Sequence, residues 1–396
     1  MGLALMDPTR GPYLTTTMQR IDHPLLSQSL GSNKSISSFH FGTQGASPKV
    51  YIQASLHAEE LPGMLVAHHL RAMLEVAQAA GLIQGEIVVV PVANPIGLAQ
   101  RLDHKPMGRF ELDSSENFNR HYPDLAAAVW PVVQTRLGQD ASANVATVRQ
   151  AVGEYLHNWA PATELQSLRR TLLTLSHDAD LVLDLHCDCE GVMHFYCEES
   201  CWAPLEPLAR LIGSEAILLA KNSGSGPFDE CLSGAWWKLA ELLNDAGLDR
   251  PLPQGCCSTT IELRGELDVS HAYAQTDAQA IYAYLQLVQV IGSAPGAPAP
   301  VIPPFKCQPT PLAGSQTLRA PAPGVVVFAA EVGQTMAIGD LVAEVIDPIN
   351  NQTHRVLAEV TGTLYARIRD RYITSGGELA KIAGATPFRT GELLGD

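Results

Sequence analysis

The chain has 396 residues, of which 46% are hydrophobic and 17% charged, a balance that excludes disordered and collagen-like classes and supports a sizeable core. Its length suits one large domain with a smaller companion, or two domains of medium size. With 41 acidic against 26 basic residues the formal net charge is −15, and no run of Lys or Arg offsets it, which argues against nucleic acid as a partner.

Taken in chain order, Met1 to Arg20 has neither a basic n-region nor a continuous apolar h-region, and no later stretch reaches the roughly 20 apolar residues that span a bilayer. A soluble, cytoplasmic protein without a membrane partner is expected. Strands are expected at Lys49 to Ala54, Glu86 to Val92, Asp180 to Leu185, Val192 to Cys197, Ala216 to Leu219 and Ser258 to Leu263, each rich in Val, Ile, Leu or Thr. Helical patterns fill the gaps, the first opened by Pro62 and stopped at Gly81, with His68 and His69 inside it and no acidic or thiol group at i+4 from either. Strands alternating with helices predict an α/β fold with a mainly parallel or mixed sheet covered on both faces. The eight cysteines read as reduced structural thiols, since Cys187 and Cys189 lack the C-x-x-C spacing and Cys256 and Cys257 are adjacent on a buried strand.

Residues 293–307 are rich in Pro, Ala and Gly and cannot continue a helix or enter a central strand, so they read as a linker between a catalytic domain at 1–292 and a smaller unit at 308–396. Beyond the linker, glycine-punctuated runs at Gly324 to Phe328, Gly339 to Ile346, Arg355 to Thr361 and Gly362 to Arg369 predict a small all-β domain.

Three segments carry chemistry. His57 and Glu60 lie at the end of a strand and just before a helix, where open α/β sheets bind their ligands; Glu59 competes with Glu60 for the role of carboxylate. His186 ends a second apolar strand, and a period of two puts Asp184 on its face, where it either orients a ligand imidazole or serves as a structural hydrogen-bond acceptor. Glu262 stands inside a β-prone run with Thr260 and Arg264 on the same face. A carboxylate placed there must be used or paired, Arg264 being the obvious ion-pair partner.

Together, HAEE at 57–60, VPVANPIG at 90–97, GRFELDSSENFNR at 108–120, DLHCD at 184–188 and TTIELRGE at 259–266 resemble the succinylglutamate desuccinylase/aspartoacylase branch of the zinc carboxypeptidase-like superfamily, over roughly Val50 to Ile291. The resemblance implies a phosphorylase/hydrolase-like, mixed-sheet catalytic domain and one Zn²⁺ per chain held by His57, Glu60 and His186, with water in an open position. It implies Glu262 as general base, Arg109 polarising the scissile carbonyl, and Asn119 and Arg120 gripping the free carboxylate of a small anionic substrate, with Arg101 as a substitute for Arg109. Asn117-Phe118 stands where Asp-Leu usually precedes Asn-Arg, and the loop from Arg109 to Asn119 is longer, a departure that bears on the substrate and not on the general chemistry.

The C-terminal unit looks like a lipoyl/biotinyl-type, barrel-like domain whose hairpin turn, Asp347 to Asn351, lacks the modifiable Lys of a carrier. It is expected to cap the cleft or to form a contact between copies in a homo-oligomer, with Lys381 on its solvated face. The expected activity is hydrolysis of an N-acyl amino acid or small peptide-like amide. Alternatives are a carboxypeptidase for short peptides, an esterase, a zinc-binding protein without turnover, and a cysteine nucleophile at Cys187 beside His186, although adjacent strand residues face opposite ways.

Overall fold

The computed structural model describes residues 18–294 and 296–394; the first seventeen residues, on which most of the reading of the N-terminus rests, lie outside them. An antiparallel pair, β1 (Gln19–Pro24) and β2 (Ser35–Gly42), is followed by β3 (Lys49–Ala54), α1 (Pro62–Ala79) and β4 (Glu86–Val90). Next come α2 (Pro95–Ala99), a short hairpin of β5 (Arg101–Leu102) and β6 (Lys105–Pro106), and helices α3 (Leu125–Arg136), α4 (Ala141–Asn158) and α5 (Glu164–Ser176). Asp124, Asp140 and Thr163 each cap the last three by accepting an orphan backbone amide.

The central strand β7 (Leu181–Asp188) leads through β8 (Glu190–Gly191) to β9 (Met193–Glu198), α6 (Trp202–Leu211), β10 (Ala216–Ala220), α7 (Phe228–Asp245), β11 (Cys257–Gly265) and α8 (His271–Leu287). Among the described residues, nine strands form one mixed sheet in the order β1-β2-β4-β3-β7-β11-β9-β10-β12, where β12 is Thr310–Pro311. Strands β4, β3, β7 and β11 run parallel, and β9 runs antiparallel to β11. Helices α1, α6 and α8 bury Leu70, Leu205 and Ile281 against one face. On the other face α3, α4, α5 and α7 bury Val129, Val148, Leu168 and Leu232. Near-continuous apolar strands such as β4 need this cover on both sides. The edge strand β1 and its neighbour β2 escape the sequence reading because polar residues interrupt QRIDHP and SISSFHFG.

The C-terminal strands are β13 (Ser315–Arg319), β14 (Gly324–Phe328), β15 (Thr335–Met336), β16 (Leu341–Asp347), β17 (Gln352–Leu357), β18 (Gly362–Arg367), β19 (Tyr372–Ile373) and β20 (Glu378–Gly384). They form two small sheets, β13-β20-β18-β15 and β17-β16-β14-β19, around their own apolar core of Val326, Val342, Leu364 and Ile382. Strand β17 starts earlier than expected because Asp347 accepts the amides of Ile349 and Asn350 and closes the turn at once, setting Gln352 opposite Asp347. The C-terminal unit is knitted to the large sheet in both directions: β12 pairs with β10, and β8 pairs with β18.

Candidate metal centre

Three parallel strand ends meet at the centre. After β3 the chain turns through Ser55, at φ 64°, into the loop that carries His57 and Glu60. Gly108 packs so closely on this loop that a Cβ there would lie 2.4 Å from the Glu59 nitrogen. The Glu59 carboxylate accepts the Gly108 amide at 2.8 Å, so it braces the loop and leaves Glu60 to the centre. His186, near the end of β7, stands beside Glu262 of β11 in register. His57, Glu60 and His186 are 4%, 3% and 2% exposed, and one ligand atom of each lies within 4.8 Å of the others, a set that can hold a metal ion.

The hydrogen bonds around the two imidazoles set their protonation. Asn117 Oδ1 accepts the Asn119 backbone amide at 2.8 Å, which identifies it as the oxygen, and His57 Nε2 at 2.9 Å therefore donates to it. Asp184 Oδ2 lies 3.0 Å from His186 Nε2, while its other oxygen accepts Gln53 Nε2 at 3.0 Å. With His57 Nε2 bonded to Asn117 and His186 Nε2 lying beside the Asp184 carboxylate, the two Nδ1 atoms face the carboxylate of Glu60, at 2.8 Å from Oε1 and 2.7 Å from Oε2. Lone pairs so opposed repel unless a proton or a cation lies between them. The donor set fits a cation: two imidazoles oriented from behind by an amide and a carboxylate, plus one carboxylate, make a three-ligand site with a position left open.

The charges respond accordingly. Burial would lower the His186 imidazole, but Asp184 and Glu60 outweigh it and hold the ring well above its ordinary range. Burial, assisted by Arg109, pushes His57 down to about 4. Glu60 lies well below the usual carboxylate range because the two imidazoles overcome its burial.

Glu262 has one carboxylate oxygen buried with no hydrogen-bond partner, and burial, with Glu60 and Asp188 nearby, pushes its carboxyl up to about 8. Its expected partner Arg264 is elsewhere: at φ 68° and a register shift in β11, the Arg264 chain turns away, pairs with Asp277 of α8 and stacks on Tyr273. The strict alternation assumed for this face therefore ends at Leu263. Arg109 is brought to the centre, its Nη1 lying 3.4 Å from both Glu60 Oε1 and His57 Nδ1. Asn119 places Nδ2 3.5 Å from His186 Nε2 while its oxygen accepts the Phe228 amide that starts α7. Arg120 is buried beside it and donates to the Asn119 carbonyl at 2.8 Å. Arg101 is not brought in: it sits exposed on the β5–β6 hairpin, bonded to the His104 carbonyl. Cys187 turns into the core on the opposite face, where burial raises its thiol well above the ordinary range, so it offers no nucleophile to the centre.

These groups line a cavity of about 280 Å³ whose far wall belongs to the C-terminal unit, through Tyr365, Arg367, Leu379 and Lys381. Lys381 is not on a solvated face: it donates to Asp188 Oδ2 at 2.9 Å inside this cavity. Asn117 and Lys381 are the two residues of the site that a reading of strands and motifs passes over. Asn117 is marked only as a departure from Asp-Leu, and Lys381 has no local signal.

No curated protein matches the chain in sequence. Among solved structures it is similar to a succinylglutamate desuccinylase/aspartoacylase from Shewanella frigidimarina NCIMB 400, at 24% identity and TM-score 0.80 over 93% of this chain and 97% of that one. A family protein from Shewanella amazonensis SB2B is similar at 26% identity and TM-score 0.78 over 92% and 98%. The product-bound ectoine utilization protein EutE (DoeB) from Ruegeria pomeroyi shares the fold at 16% identity and TM-score 0.64 over 93% and 94%. The profile of the succinylglutamate desuccinylase/aspartoacylase catalytic domain matches residues 46–288, and the chain belongs to this family.

Proposed function

We propose that the protein is a zinc-dependent deacylase that hydrolyses the amide bond of an N-acyl amino acid or a small peptide-like molecule with a free carboxylate. The observation that carries this reading is the pair of Nδ1 atoms turned toward one buried carboxylate, with Asn117 behind one ring and Asp184 beside the other. His57, Glu60 and His186 hold one Zn²⁺, residues 1–292 form the catalytic domain, 293–307 a linker and 308–396 the cap. When bound, the ion supplies Lewis acidity, lowering the pKa of a coordinated water to about 7 and offsetting charge on the developing oxyanion.

Glu262 takes the proton of the attacking water on its unpartnered carboxylate oxygen and passes it to the departing amine as the C–N bond breaks. Arg109, partly exposed and reaching Glu60 from the cavity side, directs its guanidinium at the carbonyl oxygen and stabilises the charge that grows there. Asn119 and Arg120 hold the substrate carboxylate and thereby fix the amide over the ion. The unpartnered Glu262 favours turnover over a purely metal-storing role, since a buried carboxylate without use is costly.

The test is elemental analysis of the purified protein combined with a screen of N-acyl amino acids. Near-stoichiometric zinc, loss of metal in His57→Ala and hydrolysis abolished by a chelator support the reading. Full activity in metal-free protein overturns it.

A further inference from the structure

Away from the metal-facing end, the same cavity is lined by three carboxylates, those of Glu198, Asp229 and Glu230. Asp229 and Glu230 belong to the first turn of α7, where the helix dipole favours negative charge. Asp229 accepts Thr260 Oγ1 at 3.0 Å, and Glu230 accepts the Ser223 amide on both oxygens at 3.0 Å. Glu198 has no such explanation. It ends strand β9, is 4% exposed, and accepts Trp237 Nε1 at 2.9 Å with Oε1 alone; its Oε2 is buried without a partner. None of the three is in an ion pair among the described residues. Among the cations nearby, Lys381 pairs with Asp188, Arg367 with Glu190, Arg389 with the carbonyls of Ser315 and Leu393, and Lys238 with Asp124, although the Lys238 charge also reaches Glu230; Arg109 and Arg120 line the cavity as well. Burial, with Glu230 among the neighbours, pushes Glu198 up to about 8, and burial with Asp229 pushes Glu230 up to about 7. Three carboxylates sharing a cavity, Glu198 and Asp229 buried and Glu230 half-buried, are stable together only if protons or a cation separate them.

Glu198 lies four residues along β9 from His194, the register partner of Glu262, and so on the same face of the sheet, roughly 13 Å from it at a rise of about 3.4 Å per residue. We propose that this inner end is a cation subsite, in which Glu198 and Glu230, with Asp229, receive the primary ammonium of a long basic side chain on the substrate's amino-acid portion. The flexible four-carbon stem of a lysine-like group reaches along the cavity and delivers a compact charge with three donors. Unlike the arginine-lined end at Arg120, this end is lined by acids that give up their protons as an ammonium arrives, which makes the preferred substrate an N-acylated basic amino acid. The subsite rests on the deacylase reading only for where the scissile bond lies.

The experiment compares Nα-acetyl-lysine with Nα-acetyl-norleucine, which differ in the ammonium alone, by kcat/KM in the metal-loaded full chain. The wild type is expected to favour the lysine derivative at least tenfold, and Glu198→Gln and Glu230→Gln each to reduce that ratio at least fivefold. An equal rate on both, or a ratio unmoved by both variants, overturns the subsite. The same two compounds are titrated calorimetrically into Glu262→Gln protein. Ammonium-dependent binding that Glu198→Gln removes, without hydrolysis of either compound by the wild type, keeps the subsite and sinks the deacylase reading; hydrolysis without discrimination does the reverse.

Discussion

The wall of the cavity built by β7 and β11 and the wall contributed by β18, β20 and the turns between them hold their charges in different ways. On the first, His186 and Glu262 are neighbours because two parallel strands are in register, and Asp184 supports His186 because strand residues two apart share a face. On the second, basic side chains reach across to acids of the first: Lys381 to Asp188, Arg367 and Arg371 to Glu190, and Arg369 to Glu266. All four bases come from one unit and all three acids from the other. The β7–β11 wall is therefore set by backbone hydrogen bonding, which salt does not reach, and the wall from the C-terminal unit by ion pairs of graded exposure, which salt and pH do.

The comparison breaks first at Glu262. Replacing it with Gln keeps the shape of the β7–β11 wall and removes the proposed proton acceptor, so kcat is expected to fall about 10²- to 10⁴-fold while bound metal, measured by elemental analysis, is unchanged. A variant that turns over normally would move the base elsewhere. Next, Asp184→Asn leaves β7 intact but takes the carboxylate from behind His186, and metal affinity in a competition titration is expected to drop about 10- to 100-fold. Asn117→Ala tests the same support behind His57, where a neutral amide does the work.

The wall from the C-terminal unit responds in stability and substrate affinity. Lys381→Met leaves Asp188 without its cation in a largely buried site, and urea unfolding is expected to show a loss of about 1–3 kcal/mol, with KM raised more than kcat is lowered. Asp188 adds a pH dependence: burial would raise its carboxyl, but Lys381 outweighs this and holds it below the ordinary range. The stability it contributes is thus present above that range and lost as pH falls through its lowered value, and Lys381→Met should flatten that acid limb. Arg369→Ala, at a pair with the arginine side chain 45% exposed, is expected to cost no more than about 1 kcal/mol and to become silent at high salt.

Legibility in the sequence follows the same division. The metal-facing residues could be found because each sits at the end of an apolar strand and the strand period fixes its face, as for His186 and Glu262. Where the backbone leaves that period the reading fails, and Arg264, at positive φ, pairs with Asp277 and not with Glu262. The resemblance already prefers Glu60 over Glu59; what the sequence does not show is what Glu59 does instead, which is to accept the Gly108 amide from a segment 49 residues away. Lys381 reads as solvent-facing from the sequence and faces the cavity instead, because its partner Asp188 is 193 residues away and nothing local to β20 distinguishes the two. Arg101 carries the right charge but lies on a hairpin that projects from the fold.

The exchange of short strands, β12 into the large sheet and β8 into the small one, has a consequence for how anything enters the cavity. A lid works by rotating about a single hinge, and two crossing seams of backbone hydrogen bonds permit no such rotation without breaking one of them. Entry and release must then depend on side chains and loop tips at the mouth, with the β-sheet unit as fixed masonry. A fragment cut after residue 292 would bare the edge of β10 that β12 now covers, and it should precipitate where the whole chain stays dispersed.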